Sequence, residues 1–305
     1  MTRQVKRRDF VKLASALGVL GAAPVVSAST EVLPRRAIPR SGEKLPIVGL
    51  GSTKPVRMIR EAGIGPIESV IRELMNYGGC VVDTSPRPAE LDAQFGQLLQ
   101  QAEFRDSLFV AAKVKVPGKE QGIAQIEQTQ RLFGREPMDL LQIESLTDLE
   151  THWPTLRDWK DAGKVRYIGV TVARESLYET LESFMKRELP DFVQLNYSVM
   201  ETMAEERLLP LAEDLGVAIL VNGPFMNGEY FGQVSSHPLP NWAADFDCES
   251  WAQFSLKFIL AHPTVTCVLT ETTNPRHMQD NLRAGLGRLP DAATRRRMRD
   301  YMANL

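Results

Sequence analysis

The chain is short of the residues that metal and disulfide frameworks need. Its three cysteines, Cys80, Cys248 and Cys267, stand at unrelated spacings and form no C-x-x-C pair. Neither a zinc site nor a redox pair is indicated, and buried apolar thiols are expected instead. The four histidines, His152, His237, His262 and His277, show no paired ligand spacing, so no metal is expected. No Gly-x-Gly-x-x-Gly turn follows the first apolar run, which argues against an open dinucleotide-binding sheet. No apolar stretch reaches the roughly 20 residues that a bilayer core requires, so no stable membrane span is expected. Low-complexity tracts are absent too, which excludes extensive disorder. Nor is there a strong excess of positive charge. The formal net charge is -2, and beyond residue 28 the remaining 31 basic and 37 acidic residues give -6. That disfavours nucleic acid or an anionic membrane surface as the main partner.

What is present begins with an address. Lys6-Arg7-Arg8-Asp9-Phe10-Val11-Lys12 is followed by a weakly apolar stretch from Leu13 to Ala23 and by the small-residue run Val26-Ser27-Ala28. This is the three-part layout of an export signal, and the paired arginines resemble the twin-arginine type. Residues 1–28 are therefore expected to be a signal peptide engaging an export machinery, either cleaved or retained as an anchor. Residues 29–305 are expected to form one domain in the periplasm or otherwise outside the cytoplasm. The twin-arginine route, as the resemblance implies, carries folded proteins.

Beyond the signal, short apolar runs alternate with longer amphipathic ones. The runs are Pro46–Gly51, Cys80–Asp83, Leu108–Lys113, Leu140–Glu144, Val165–Val170, Phe192–Leu195, Val217–Val221 and Val265–Leu269. Their shortness and apolar content suit strands buried on both faces. Helical stretches fall between them, among them Glu68–Asn76, Ile123–Phe133 and Glu201–Asp214. Eight such units predict an α/β fold, a closed (β/α)8 TIM barrel.

Sites in such barrels lie at the carboxyl ends of the strands. Asp83, Lys113 and Glu144 end the second, third and fourth runs, 30 and 31 residues apart, one βα unit each. Three ionisable groups at neighbouring strand ends converge on one mouth. They are the candidate catalytic set, with a buried structural ion network as the alternative. Asn222 to Ser250 is long for a βα connection and holds Phe225, Tyr230, Phe231 and Trp242. It predicts a lid or substrate wall, or else a loop packed on the rim. Arg295-Arg296-Arg297 reads as a solvated helix face.

Several segments, in order, resemble the aldo/keto reductase family. They include Gly49-Leu50-Gly51-Ser52, Val82-Asp83-Thr84-Ser85, Ala111-Ala112-Lys113-Val114 and Asp139-Leu140-Leu141-Gln142-Ile143. Gly163 to Val170, Gln194-Leu195-Asn196-Tyr197-Ser198, His262 to Thr266, Asn274-Pro275 and Asp280-Asn281 continue the likeness, which runs from about residue 37 to residue 300. The resemblance implies NADPH-dependent reduction of aldehydes and ketones by an Asp, a Tyr, a Lys and a His. Asp83 and Lys113 match that set. The Tyr position holds Pro88, which has neither hydroxyl nor N–H. Tyr197 is the nearest substitute in kind, although it also fits the family's ordinary Asn-Tyr-Ser, the reading the resemblance favours. The His position holds Glu144, as in family branches that reduce a carbon–carbon double bond in steroids.

The resemblance also implies NADP(H) contacts at Gly51, Ser52, Thr171, Gln194, Asn222, Thr272, Arg276 and Asn281. Gln194 falls where the nicotinamide amide is held, and Arg276 and Asn281 where the adenosine end is gripped. Three departures touch this set. Val172 stands where Asn is common, Asn222 where an aromatic ring is common, and Thr270-Glu271 precede the Thr272-Thr273 pair. A Glu271 carboxylate beside a 2′-phosphate is expected to repel it. With Asp83 paired to Lys113, Glu144 is expected to carry a raised pKa and act as a general acid. A Glu144 hydrogen-bonded to Lys113 without chemistry is the alternative. Two function classes stay open. One is an oxidoreductase acting on a carbonyl or activated double bond with an altered active site. The other is a catalytically impaired barrel serving as an exported ligand-binding or scaffold protein. In either case the partner is a small-molecule substrate or ligand.

Overall fold

The structure is a computed structural model that describes residues 31–305. The export segment expected at residues 1–28 lies outside the described residues. Ten strands are present among the described residues: β1 (Arg35–Ala37), β2 (Lys44–Pro46), β3 (Val48–Gly51), β4 (Val81–Asp83), β5 (Phe109–Val114), β6 (Met138–Glu144), β7 (Val165–Val172), β8 (Phe192–Asn196), β9 (Ala218–Asn222) and β10 (Val265–Thr270). Strands β3 to β10 close into a parallel barrel in sequence order, β10 pairing back to β3. All eight runs expected as strands form the staves, so the predicted (β/α)8 barrel is what the chain builds.

The alternation of side chains sorts the strands into two cores. Outward residues such as Leu50, Val82, Val110, Ala112, Leu141, Val170, Val193 and Ile219 pack beneath the surrounding helices. Inward residues form a separate lumen core of Val81, Phe109, Ala111, Leu140, Phe192, Ala218, Leu220, Cys267 and Leu269. Gly169 is required where β7 meets β8, because a Cβ there falls 2.4 Å from the Phe192 carbonyl oxygen.

The first run, expected as one strand from Pro46 to Gly51, is divided between two sheets. Lys44–Pro46 pairs antiparallel with Arg35–Ala37, and only Val48–Gly51 joins the barrel. The hairpin caps the amino-terminal end of the cylinder. Arg36 donates to the carbonyls of Leu260, His262 and Val265, and Arg40 to that of Pro190, in the segments that lead into β10 and β8. Ile38 and Leu45 complete the lumen core from below. The lumen is therefore covered at the amino-terminal end of the staves.

The helices expected at Glu68–Asn76 and Ile123–Phe133 occur within Gly65–Asn76 and Lys119–Phe133. The third, Glu201–Asp214, breaks into a 3-10 turn, Met203–Glu205, and a helix, Leu208–Leu215. Pro210 lacks an N–H, which suits the first turn of a helix, and it is the third residue of Leu208–Leu215. The Asn222–Ser250 connection carries its own helix, Glu229–Val234, and is packed rather than open. Tyr230 is buried and donates to the Trp251 carbonyl, and Trp242 sits edge-on to Tyr301. Phe231 stays exposed. Among the described residues no helix is long and apolar enough to cross a membrane.

Candidate active site

Toward the carboxyl ends of five staves the inward positions turn from apolar to polar. On β4, Val81 is followed two residues on by Asp83. On β5, Phe109 and Ala111 precede Lys113. On β6, Leu140 precedes Gln142 and Glu144. On β8, Phe192 precedes Gln194 and Asn196, and on β9, Leu220 precedes Asn222. The period-two alternation thus stacks a polar layer on an apolar one, at the end where barrel sites lie.

Asp83 and Lys113 meet there. The Lys113 ammonium donates to Asp83 Oδ1 and, at 3.2 Å, to the Thr84 carbonyl. The two side chains are 8% and 4% exposed, so the charges cancel inside the protein rather than in water. Removing either leaves the other buried and uncompensated. Gln194 Nε2 donates to Asp83 Oδ2 at 3.1 Å and to Asn222 Oδ1 at 2.6 Å. Gln142, which sequence reasoning passed over, donates from Nε2 to Gln194 Oε1 at 2.6 Å. The signal for it was available: Gln142 interrupts an apolar strand two residues before Glu144, so alternation points both into the lumen.

Glu144 reaches the same rim and joins none of this. By register it lies opposite Thr171, one inward step above Gln142. It makes no ion pair with Lys113 among the described residues, and its Oε2 is buried without a hydrogen-bond partner. The alternative of a Glu144 bonded to Lys113 is therefore not what the structure shows. Ser145 and Leu146, directly after it, have φ of 55° each, a left-handed conformation that costs side chains of this kind roughly 1–2 kcal/mol apiece. Such strain collects where a side chain must be aimed.

Pro88 stands exposed just before the helix Ala89–Leu99. Its neighbour Arg87, also unforeseen, is buried against Asp92 and donates to Thr84 Oγ1 and, through its N–H, to Asp92. Lys115 donates to the Pro86 carbonyl. The loop that carries a Tyr in the resembled family is thus a braced, proline-flanked turn. Tyr197 does not stand in for that Tyr. It points out of the lumen, donates to Glu205 and accepts from Arg295, and burial pushes its phenol well above the usual range. Arg295 is accordingly no solvated residue, which corrects the expectation at that position, whereas Arg296 and Arg297 are exposed as expected.

The other expected cofactor residues ring the mouth with unequal freedom. Gly51 ends β3, and Ser52 next to it is fully buried with its Oγ unpartnered. Thr171 is buried on β7. Thr272 Oγ1 accepts from the Asn274 N–H, and Asn281 is buried in the helix Pro275–Arg283. Arg276 is exposed and forms no ion pair among the described residues. Glu271 turns toward β3: its Oε1 accepts from the Lys54 N–H at 2.6 Å. The carboxylate is therefore partly compensated, although it still lies beside the segment after β3.

A model of the aldo/keto reductase family matches residues 68–296. Over 176 residues the chain is 30% identical to an aldo-keto reductase of Gibberella moniliformis, covering 53% of each protein. It is 23% identical over 180 residues to the aldo-keto reductase YhdN of Bacillus subtilis, covering 54% of each. The chain spans about half the length of these two relatives. A crystal structure of an aldo-keto reductase from Klebsiella pneumoniae in complex with NADPH is similar in fold. Its TM-score is 0.71 at 18% identity, over 89% of this chain and 95% of that one.

Proposed function

The chain belongs to the aldo/keto reductase family, and on that premise we propose that it reduces a carbonyl group or an activated double bond with NADP(H), through an altered set of site residues. One observation carries this: a buried, charge-neutral Asp83–Lys113 pair at the carboxyl mouth of the barrel, with a carboxyl, Glu144, left unpaired on the next stave.

The residues fit a dinucleotide at separated points. The orphaned Ser52 hydroxyl follows β3, Asn222 turns its Oδ1 to Gln194 and leaves its Nδ2 free, and Arg276, without an ion pair among the described residues, lies at the start of the helix after β10. When bound, NADPH supplies the hydride. Lys113 has three ammonium donors and spends two on Asp83 and Thr84, so one remains for a developing oxyanion. Glu144 is the proton donor to that oxygen and takes its proton from solvent, to which it is partly open. Asp83 holds Lys113 in place.

A second reading is favoured by the saturation of Gln194, both of whose amide hydrogens are used inside the protein. In it the barrel binds a small ligand without turnover. NADPH titration of the purified chain, followed by protein fluorescence, separates the two. Saturable quenching at micromolar cofactor, followed by single-turnover oxidation on adding an aldehyde or enone, supports the oxidoreductase. No binding at millimolar NADPH removes it.

We also propose export through residues 1–28. A barrel that folds before crossing can carry its nucleotide along. The paired Arg7-Arg8 motif supports this, and cytoplasmic retention of the wild-type chain in cell fractions would refute it.

A further inference from the structure

Three side-chain amides of the polar layer, Gln142, Gln194 and Asn222, form one hydrogen-bonded chain, and an amide's two ends differ in chemistry but hardly in shape. Which end faces where matters only if something fixes it, and here Asp83 does. Its carboxylate is held by the Lys113 ammonium and can only accept. Gln194 must then turn Nε2 toward Asp83 Oδ2. The second hydrogen of that nitrogen points to Asn222, which must answer with Oδ1. Gln194 Oε1 is left facing Gln142, which must answer with Nε2. One ionised group therefore sets the direction of all three. The consequence falls on Asn222, the only one of the three that is not fully buried. With its oxygen committed inward, its Nδ2 is left directed away from Gln194 at the carboxyl end of β9, without a partner among the described residues.

We propose that Asn222 is the donor that receives a carbonyl oxygen at the barrel mouth, oriented by Asp83 through Gln194, with Gln142 as a positioning residue that locks Gln194 from its other side. This rests on the oxidoreductase assignment, under which two carbonyls come to this mouth: the carboxamide of the nicotinamide ring and the carbonyl of the substrate. Both present the same acceptor chemistry.

The test compares the wild-type chain with Asn222→Asp and Asn222→Ala. The Asp variant keeps an oxygen for Gln194 and replaces the outward donor by an acceptor. The Ala variant removes the donor without adding charge. NADPH and benzaldehyde are the probes, each titrated separately, and thermal melts confirm that the variants fold. If the carbonyl is the cofactor's, NADPH binds at least 10-fold more weakly to both variants, and more weakly to Asp than to Ala. If it is the substrate's, NADPH affinity is unchanged and benzaldehyde shows that loss and that order. A cavity or a general loosening gives no reason for Asp to be the worse of the two. Equal binding of both probes by all three proteins overturns the proposal, as does a wild type that binds neither. A wild type that ignores NADPH yet binds benzaldehyde in a donor-sensitive way breaks the oxidoreductase assignment and leaves this one standing.

Discussion

The two sides of the barrel mouth are built on opposite principles. On the side of β4, β5, β8 and β9, Asp83, Lys113, Gln194 and Asn222 spend their hydrogen-bonding groups largely on one another, and Gln142 joins them from β6 through its Nε2, its Oε1 being left without a partner. One step further up β6, Glu144 carries an oxygen with no partner and is followed by two residues in left-handed conformation. The first side is a scaffold: each group is needed by its neighbour, so its removal is felt in stability. The second holds a carboxyl that nothing in the fold requires, kept in place by a backbone that stores strain. A group that costs stability and makes no compensating contact is the better candidate for chemistry.

The sharpest way to break this comparison is to unpair the scaffold. Lys113→Met leaves Asp83 buried without its cation and is expected to cost about 3–5 kcal/mol, read from urea unfolding. Adding Asp83→Leu to Lys113→Met should recover most of that, because an apolar pair in a buried site is often neutral. A Lys113→Met protein that unfolds at the wild-type midpoint would show that the pair is not the scaffold it resembles. Glu144→Gln is expected to do the reverse. Its stability should stay within about 1 kcal/mol of wild type, while turnover falls roughly 10²–10⁴-fold, the usual loss of a well-placed general acid. Full turnover in that variant would return Glu144 to the scaffold side.

A smaller effect sharpens the strained half. Ser145 is exposed with φ of 55°, a conformation that glycine adopts without penalty. Ser145→Gly is expected to stabilise the chain by about 1 kcal/mol, a rise of roughly 2–4 °C in melting temperature for a domain of about this size. If the strain aims Glu144, the same variant should lose activity as it gains stability. A gain in both would detach the turn from the site.

How much of this could be read from residues alone differs between the same two sides. The barrel was legible because eight apolar runs repeat at one βα interval, and Asp83, Lys113 and Glu144 were legible because they end consecutive runs. The capping hairpin was not, since three-residue strands such as Arg35–Ala37 are too short to show a period. Arg87 and Asp92 were missed because a salt bridge across five residues of a turn leaves no spacing rule to follow. Gln142 was passed over although its alternation with Glu144 was in view. That alternation fixes which face a side chain joins, but the partner it meets across the lumen depends on barrel closure. The left-handed turn at Ser145-Leu146 had no signal, because neither residue type announces that conformation.

Tyr178 offers the finest cut. With Pro88 unable to donate a proton, a phenol near the mouth is the obvious rival to Glu144, and Tyr178 approaches the rim by donating to the Asn196 carbonyl at 3.4 Å. Its phenol is pushed up to about 12, first by burial and then by the neighbouring carboxylates of Glu201 and Glu175. A raised phenol pKa makes a poorer acid near neutral pH, where efficient acids have values close to the working pH. Tyr178→Phe is therefore expected to keep turnover within about threefold of wild type and to lose at most about 1 kcal/mol of stability with its long hydrogen bond. The two outcomes part in the pH profile. If Glu144 is the acid, kcat for the Phe variant follows the wild-type profile throughout. If Tyr178 is the acid, the variant loses turnover at every pH, and the unpaired carboxyl on β6 is left without a task.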